Sequence, residues 1–150
     1  FAAATKVGSI LSNKENKIKD ALEFYGKNLG LTFQIADDTL DYNSELKLFG
    51  KEIGNDFYEG KVTLPIILLY QKSNEDEKKK LKELFKKKDR SVEEFKSILI
   101  MIKKYNIIFE CYRKAEHFIN LASNSLSIFN KSKEKDMLQG LTSFSLERTF

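Results

Sequence analysis

The sequence predicts an all-α fold, a bundle of helices, on three observations. Apolar residues between 17 and 44 recur at the 3.6-residue spacing of a helix. No stretch of useful length alternates with the two-residue period of a strand, and no internal repeat is present. One proline, Pro65, and seven glycines leave little material for the turns of an all-β fold, whereas Lys, Glu, Leu, Ile and Phe dominate. A length of 150 residues suits one domain with its own core. A hydrophobic content of 41% with 12% aromatics argues against disorder.

Taken in order, residues 1–12 read as an apolar, small-residue-rich helix, buried and without an N-cap before it. Residues 17–44 give the strongest pattern. Ile18, Leu22, Tyr25, Leu29, Phe33, Ala36 and Leu40 form one core stripe. From Lys47 to Thr63 the periodicity fades and Gly50, Gly54 and Gly60 punctuate it, so a loop with at most one helical turn is expected. Thr63 can cap a short helix whose first turn holds Pro65 and which runs on through Ile66 to Tyr70. Three helices follow near 75–88, 91–104 and 106–129, and a last one from about 132 to the end. Leu81, Leu84 and Phe85 share one side of the lysine-rich stretch, which reads as a solvated helix with an apolar seam. A membrane-surface or nucleic-acid role is the weaker alternative there, and no nucleic-acid motif supports it. Tyr105, Phe109, Tyr112 and Phe118 read as packing residues, with a dimer face as the alternative. Cys111 and His117 read as structural or surface residues.

Composition narrows the function. A net charge of +4 allows an anionic partner without naming one. The single cysteine excludes an internal disulfide and fits a reducing compartment, so a cytoplasmic location is expected, with peripheral membrane attachment as an option. One histidine excludes a His-rich metal centre. No apolar run approaches the roughly 18–20 residues of a membrane span, and the first residues show no signal-peptide pattern.

Chemistry concentrates in "FQIADDTLDY". Asp37, Asp38 and Asp41 fall on one helix face, with Gln34 and Gly30 below them. Like charges at this spacing weaken a helix by a few tenths of a kcal/mol per pair, so either a cation offsets the repulsion or the face is simply solvated. Asp37 and Asp41, one turn apart, can converge on one cation. Carboxylates alone suit Mg²⁺ or Ca²⁺, not zinc, and the glycine and terminal glutamate of an EF-hand are absent. The next stretch, "GKEIGNDFYEGKVTLP", adds Lys51 and Lys61. Lysines spoil a metal cage but suit an anion bridged by the metal, such as a diphosphate.

Together, "LGLTFQIADDTLDY" and "GKEIGNDFYEGKVTLPIILLY" resemble the C-terminal half of the trans-isoprenyl diphosphate synthases, or polyprenyl synthetases. "FQxxDDxxD" resembles their second aspartate-rich motif, and the wording "EGKVTLP" is more similar to the long-chain, octaprenyl-type branch. "FAAATKVGSIL" is similar to the preceding helix, and the tail with Leu138, Leu141 and Arg148 to the last one. The resemblance implies an isoprenoid-synthase-type bundle of long helices, usually dimeric. It implies condensation of an allylic prenyl diphosphate with isopentenyl diphosphate. Asp37, Asp38 and Asp41 would bind Mg²⁺. Lys51 and Lys61 would neutralise the departing diphosphate, and Gln34 would contact substrate or water.

The family's first aspartate-rich motif, its isopentenyl-diphosphate-binding basic residues and a Lys-Thr pair do not occur in residues 1–150. The expectation is therefore a C-terminal portion of a synthase domain, inactive alone and completed by an N-terminal half, with a homodimer or a half supplied in trans as the assembly. The alternatives are a non-catalytic helical interaction subunit or degenerate fragment, and an unrelated helical binding module.

Overall fold

A computed structural model describes residues 1–43 and 53–147. Among them the helices are α1 (Ala2–Leu11), α2 (Asn16–Leu40), α3 (Asn55–Glu59), α4 (Leu64–Lys72), α5 (Glu75–Lys86), α6 (Val92–Lys104), α7 (Ile107–Ser125) and α8 (Lys133–Glu147). A 3₁₀ turn at Leu126–Ile128 extends α7. No strand occurs among the described residues, so the all-α expectation holds. No helix there is long and apolar enough to cross a membrane. The chain divides into two compact units, Phe1–Ala36 with Tyr112–Phe150, and Asp37–Cys111.

In the first unit, Tyr25, Leu29, Ile119, Ala122 and Leu126 form a buried cluster, with Leu22, Phe129 and Leu138 packed against it. The Tyr25 hydroxyl donates to the Leu138 carbonyl at 2.7 Å, tying α2 to α8. Desolvation pushes this phenol's pKa up to about 12. The α2 stripe differs from expectation. Tyr25, Leu29 and Ala36 are buried, but Phe33 and Leu40 are half-buried while Thr32 and Thr39 are fully buried. Thr32 can take this place because its hydroxyl bonds to the carbonyls of Asn28, at 3.1 Å, and Ala115, at 3.3 Å.

α1 is also not the buried helix that its composition suggests. Only Ser9 in it is buried, whereas Val7, Ile10 and Leu11 are exposed. Ala2 and Thr5 face α2. Thr5 Oγ1 donates to the Leu22 carbonyl at 2.6 Å, and a Cβ on Gly26 would stand 2.1 Å from the Thr5 hydroxyl oxygen. Close backbone approach at Gly26, with the Phe1 ring packed on Phe33 and Gly30, holds α1 against α2.

In the second unit, α4 packs against α5 and α6. Both α5 and α6 begin with a full capping box, from Asn74 and Glu77 in one and Ser91 and Glu94 in the other. Asn106 in the left-handed region (φ 53°) breaks the chain between α6 and α7. Leu81 is buried and Leu84 and Phe85 half-buried, as the seam predicts. Thr63 occupies the N-cap position of α4, but its side chain makes no capping hydrogen bond. Phe109 is 51% exposed, contrary to the packing role expected of it. Cys111 is buried, and His117 lies exposed on α7 of the other unit.

Candidate functional site

The exposed face at the end of α2 carries the expected residues. Gln34 and Asp37 are exposed and Asp38 is half-buried, while Ile35, Ala36 and Thr39 point inward. Gln34 lies in the first unit, and the three aspartates lie in the second. Lys51 lies outside the described residues.

Asp41 stands just past the C-terminus of α2, where the helix dipole disfavours an anion. The compensation comes from α3. Asp41 Oδ1 accepts from the backbone N–H groups of Gly54 and Asn55, each at 3.0 Å, and Oδ2 accepts from that of Asp56 at 2.8 Å. The Asp41 carbonyl also accepts from Gly54 N–H at 2.9 Å. A carboxylate expected to share a cation with Asp37 therefore directs both oxygens to the start of α3.

Glycine is required at Gly54. It adopts φ +93°, and a Cβ there would stand 2.8 Å from Cζ of Phe95. Phe95 is the hub of an aromatic floor, with ring centroids 5.2 Å from Phe57, 5.5 Å from Tyr58 and 6.1 Å from Tyr42. Tyr42 is almost wholly buried. Burial first, then the charges of Asp41 and Asp56, push its phenol well above the usual range. Its hydroxyl approaches Thr63 Oγ1 without closing a hydrogen bond, and both atoms are shielded from water.

α3 ends at Gly60, and its last turn delivers Lys61. The Lys61 N–H donates to the Asp56 carbonyl at 2.8 Å. Its ammonium lies 2.6 Å from Glu59 Oε2 and 3.2 Å from Asp56 Oδ1. The Glu59 and Asp56 hydrogen bonds hold the ammonium's pKa above its ordinary value, so Lys61 stays charged. Arg90 covers this C-terminal end of α3. Its guanidinium donates to the Tyr58 carbonyl at 3.3 Å and the Phe85 carbonyl at 3.0 Å, and it stacks on the Phe85 ring. Asp56 escaped the sequence reading. The signal was an acidic residue five positions before Lys61, inside the same glycine-bounded stretch.

Among the described residues, no group of three or more His, Cys, Asp or Glu converges as a metal cage. What α2 presents is a pair of neighbouring carboxylates, Asp37 and Asp38, open to water at least in part. Such a pair suits a hard cation that keeps waters and takes further oxygens from a bound anion.

Helices alone, with an aspartate-rich helix end bonded to a glycine-bounded, lysine-bearing segment, define the class as the all-α isoprenyl diphosphate synthase fold. The chain belongs to the polyprenyl synthetase family, whose model matches residues 1–102. It is 33% identical over 148 residues to a short chain isoprenyl diphosphate synthase from Methanocaldococcus jannaschii, covering 99% of this chain and 44% of that one. The structure of a decaprenyl diphosphate synthase from Rhodobacter capsulatus is similar with a TM-score of 0.91 and 30% identity, over 100% of this chain and 46% of that one. A polyprenyl synthase from Caulobacter crescentus, complexed with calcium and isoprenyl diphosphate, gives a TM-score of 0.88 at 30% identity, with the same coverage. The chain thus spans a little under half the length of these relatives. The relatives' names range from short-chain to decaprenyl synthases and single out no product length.

Proposed function

We propose that this chain is the diphosphate-holding portion of a trans-prenyl diphosphate synthase, which joins an allylic prenyl diphosphate to isopentenyl diphosphate. One observation carries the reading: the aspartate-bearing end of α2 is hydrogen-bonded to the segment that delivers Lys61. Asp37 and Asp38 offer the hard oxygens that Mg²⁺ takes, and their partial exposure leaves room for waters and phosphate. When bound, Mg²⁺ would supply positive charge to the diphosphate oxygens and so make the diphosphate a better leaving group. Lys61, kept charged by its carboxylate neighbours, adds a point charge toward the same group. Lys51 is assigned a matching role from its place in the motif. Gln34, one turn before Asp38, serves substrate or water contact. The wording of "EGKVTLP" supports a long-chain product, and the lone cysteine supports a cytoplasmic setting. In the complete enzyme the isopentenyl diphosphate site comes from residues outside this chain, on the same polypeptide or in trans.

Calorimetric titration of the chain with farnesyl diphosphate tests this. Binding should require Mg²⁺ and be lost in Asp37→Ala/Asp38→Ala. The chain alone should yield no elongated product when isopentenyl diphosphate is added. Absence of binding in a chain that circular dichroism shows to be folded would overturn the proposal in favour of a non-catalytic interaction subunit.

A further inference from the structure

We infer that Asp41 is a positioning residue rather than a cation ligand: its carboxylate clamps the start of α3 and thereby sets where Asp56 and Lys61 stand. The inference rests on the reading of Asp37 and Asp38 as the cation-binding pair and changes the role of the third aspartate. Three N–H groups at 2.8–3.0 Å occupy most of the acceptor capacity of one carboxylate. The position is not incidental. A helix normally takes its cap from the residue just before it, but α3 begins after Gly54, which has no side chain to offer. The missing cap arrives from Asp41, thirteen positions earlier. α3 has five residues, far below the length at which a helix holds by itself.

From this clamp, a chain of bonds leads outward. Asp41 Oδ2 holds the Asp56 N–H, the Asp56 carbonyl holds the Lys61 N–H, and Asp56 Oδ1 holds the Lys61 ammonium. The clamp is braced from beneath, because Phe95 packs against both Gly54 and Tyr42. Moving Asp41 therefore moves Lys61. A cation drawing Asp41 away would have to break three charge-assisted hydrogen bonds first.

Amide hydrogen exchange in Mg²⁺-free buffer, paired with titration of inorganic pyrophosphate with and without Mg²⁺, separates the roles. Asp41→Ala should speed exchange at Asn55 and Asp56 by roughly tenfold or more. Asp41→Asn keeps one carbonyl oxygen, which makes two bonds when it faces Gly54 and Asn55, and sets its NH₂ against Asp56. Exchange should therefore rise at Asp56 while Asn55 stays protected, and pyrophosphate binding should weaken only in part and stay Mg²⁺-dependent, since the cation pair is intact while the bond that leads to Lys61 is lost. Unchanged exchange at both amides in Asp41→Ala would overturn the clamp. So would Asp41→Asn that loses Mg²⁺-dependent binding as fully as Asp37→Ala/Asp38→Ala while both amides stay protected. If the parent chain itself binds no pyrophosphate, the cation reading fails, and the exchange rates still decide the clamp.

Discussion

Gly54 and Gly140 are the same residue under opposite constraints. Gly54 sits at φ +93° with the Phe95 ring where a Cβ would go, and the ring is held by three other aromatics. Gly54→Ala should cost about 1–3 kcal/mol from backbone strain alone, and more from the clash. Gly140 lies within α8 with nothing within 4 Å of its would-be Cβ. Gly140→Ala should raise stability by about 0.5–1 kcal/mol, because alanine suits a helix interior better. Urea denaturation of the two variants checks both signs, and equal shifts would refute the contrast. The same scale shows where sequence reading stops. That Asp37 and Gln34 share a face apart from the core stripe was legible, because the helical period sets that face about a third of a turn round from it. The engagement of Asp41 was not, because its partners lie thirteen to fifteen positions ahead and are backbone groups that no side-chain pattern marks.

At the scale of elements, the start of α5 is a charged lock between two helices. Glu77 accepts from the Lys104 ammonium at 2.8 Å, the Tyr105 hydroxyl at 2.5 Å and the Asn74 N–H at 3.0 Å. Lys104 first, then Tyr105 and the Asn74 backbone, hold its carboxyl down to about 2. A depressed carboxylate stabilises the fold above the ordinary glutamate range, and that contribution disappears as pH falls from about 4.5 toward about 2. Thermal melts of the parent chain should lose stability across this window, and Glu77→Gln should flatten the loss. A variant with an identical pH profile would show that the lock carries no linkage. Helices α5 to α8 were legible from period and breakers to within a few residues, because their apolar faces do the specifying. The α2 stripe was misplaced at two positions for one reason. A hydrophobic count ignores threonine, whereas Thr32 is buried with its hydroxyl satisfied by main-chain carbonyls.

For the molecule as a whole, the telling surface is apolar and outward. Ile10 and Leu11 of α1 are exposed by 51% and 82%, and Phe24 and Leu31 of α2 by 46% and 38%. The chain spans a little under half the length of its relatives, and these four apolar side chains of the first unit stay open to water. Concentration-dependent association should follow in sedimentation velocity, and Ile10→Lys/Leu11→Lys should suppress it. A single monomeric species at every concentration would argue against a sticky face. The all-α class and the central motif were readable from the sequence. The exposed α1 was not, since a helix that docks through Thr5 and the bare backbone at Gly26 looks buried when judged by composition.

The grip on α3 has a temporal side. Its front is held by Asp41, already made when α3 is synthesised, and its back by Arg90, a whole α4–α5 hairpin later. Five residues cannot nucleate a lasting helix unaided. As the chain leaves the ribosome, the Lys61 segment must wait, half-fastened, until residue 90 emerges and closes over it. A stalled or clipped product ending before Arg90 would carry every residue of the motif and still lack its final shape.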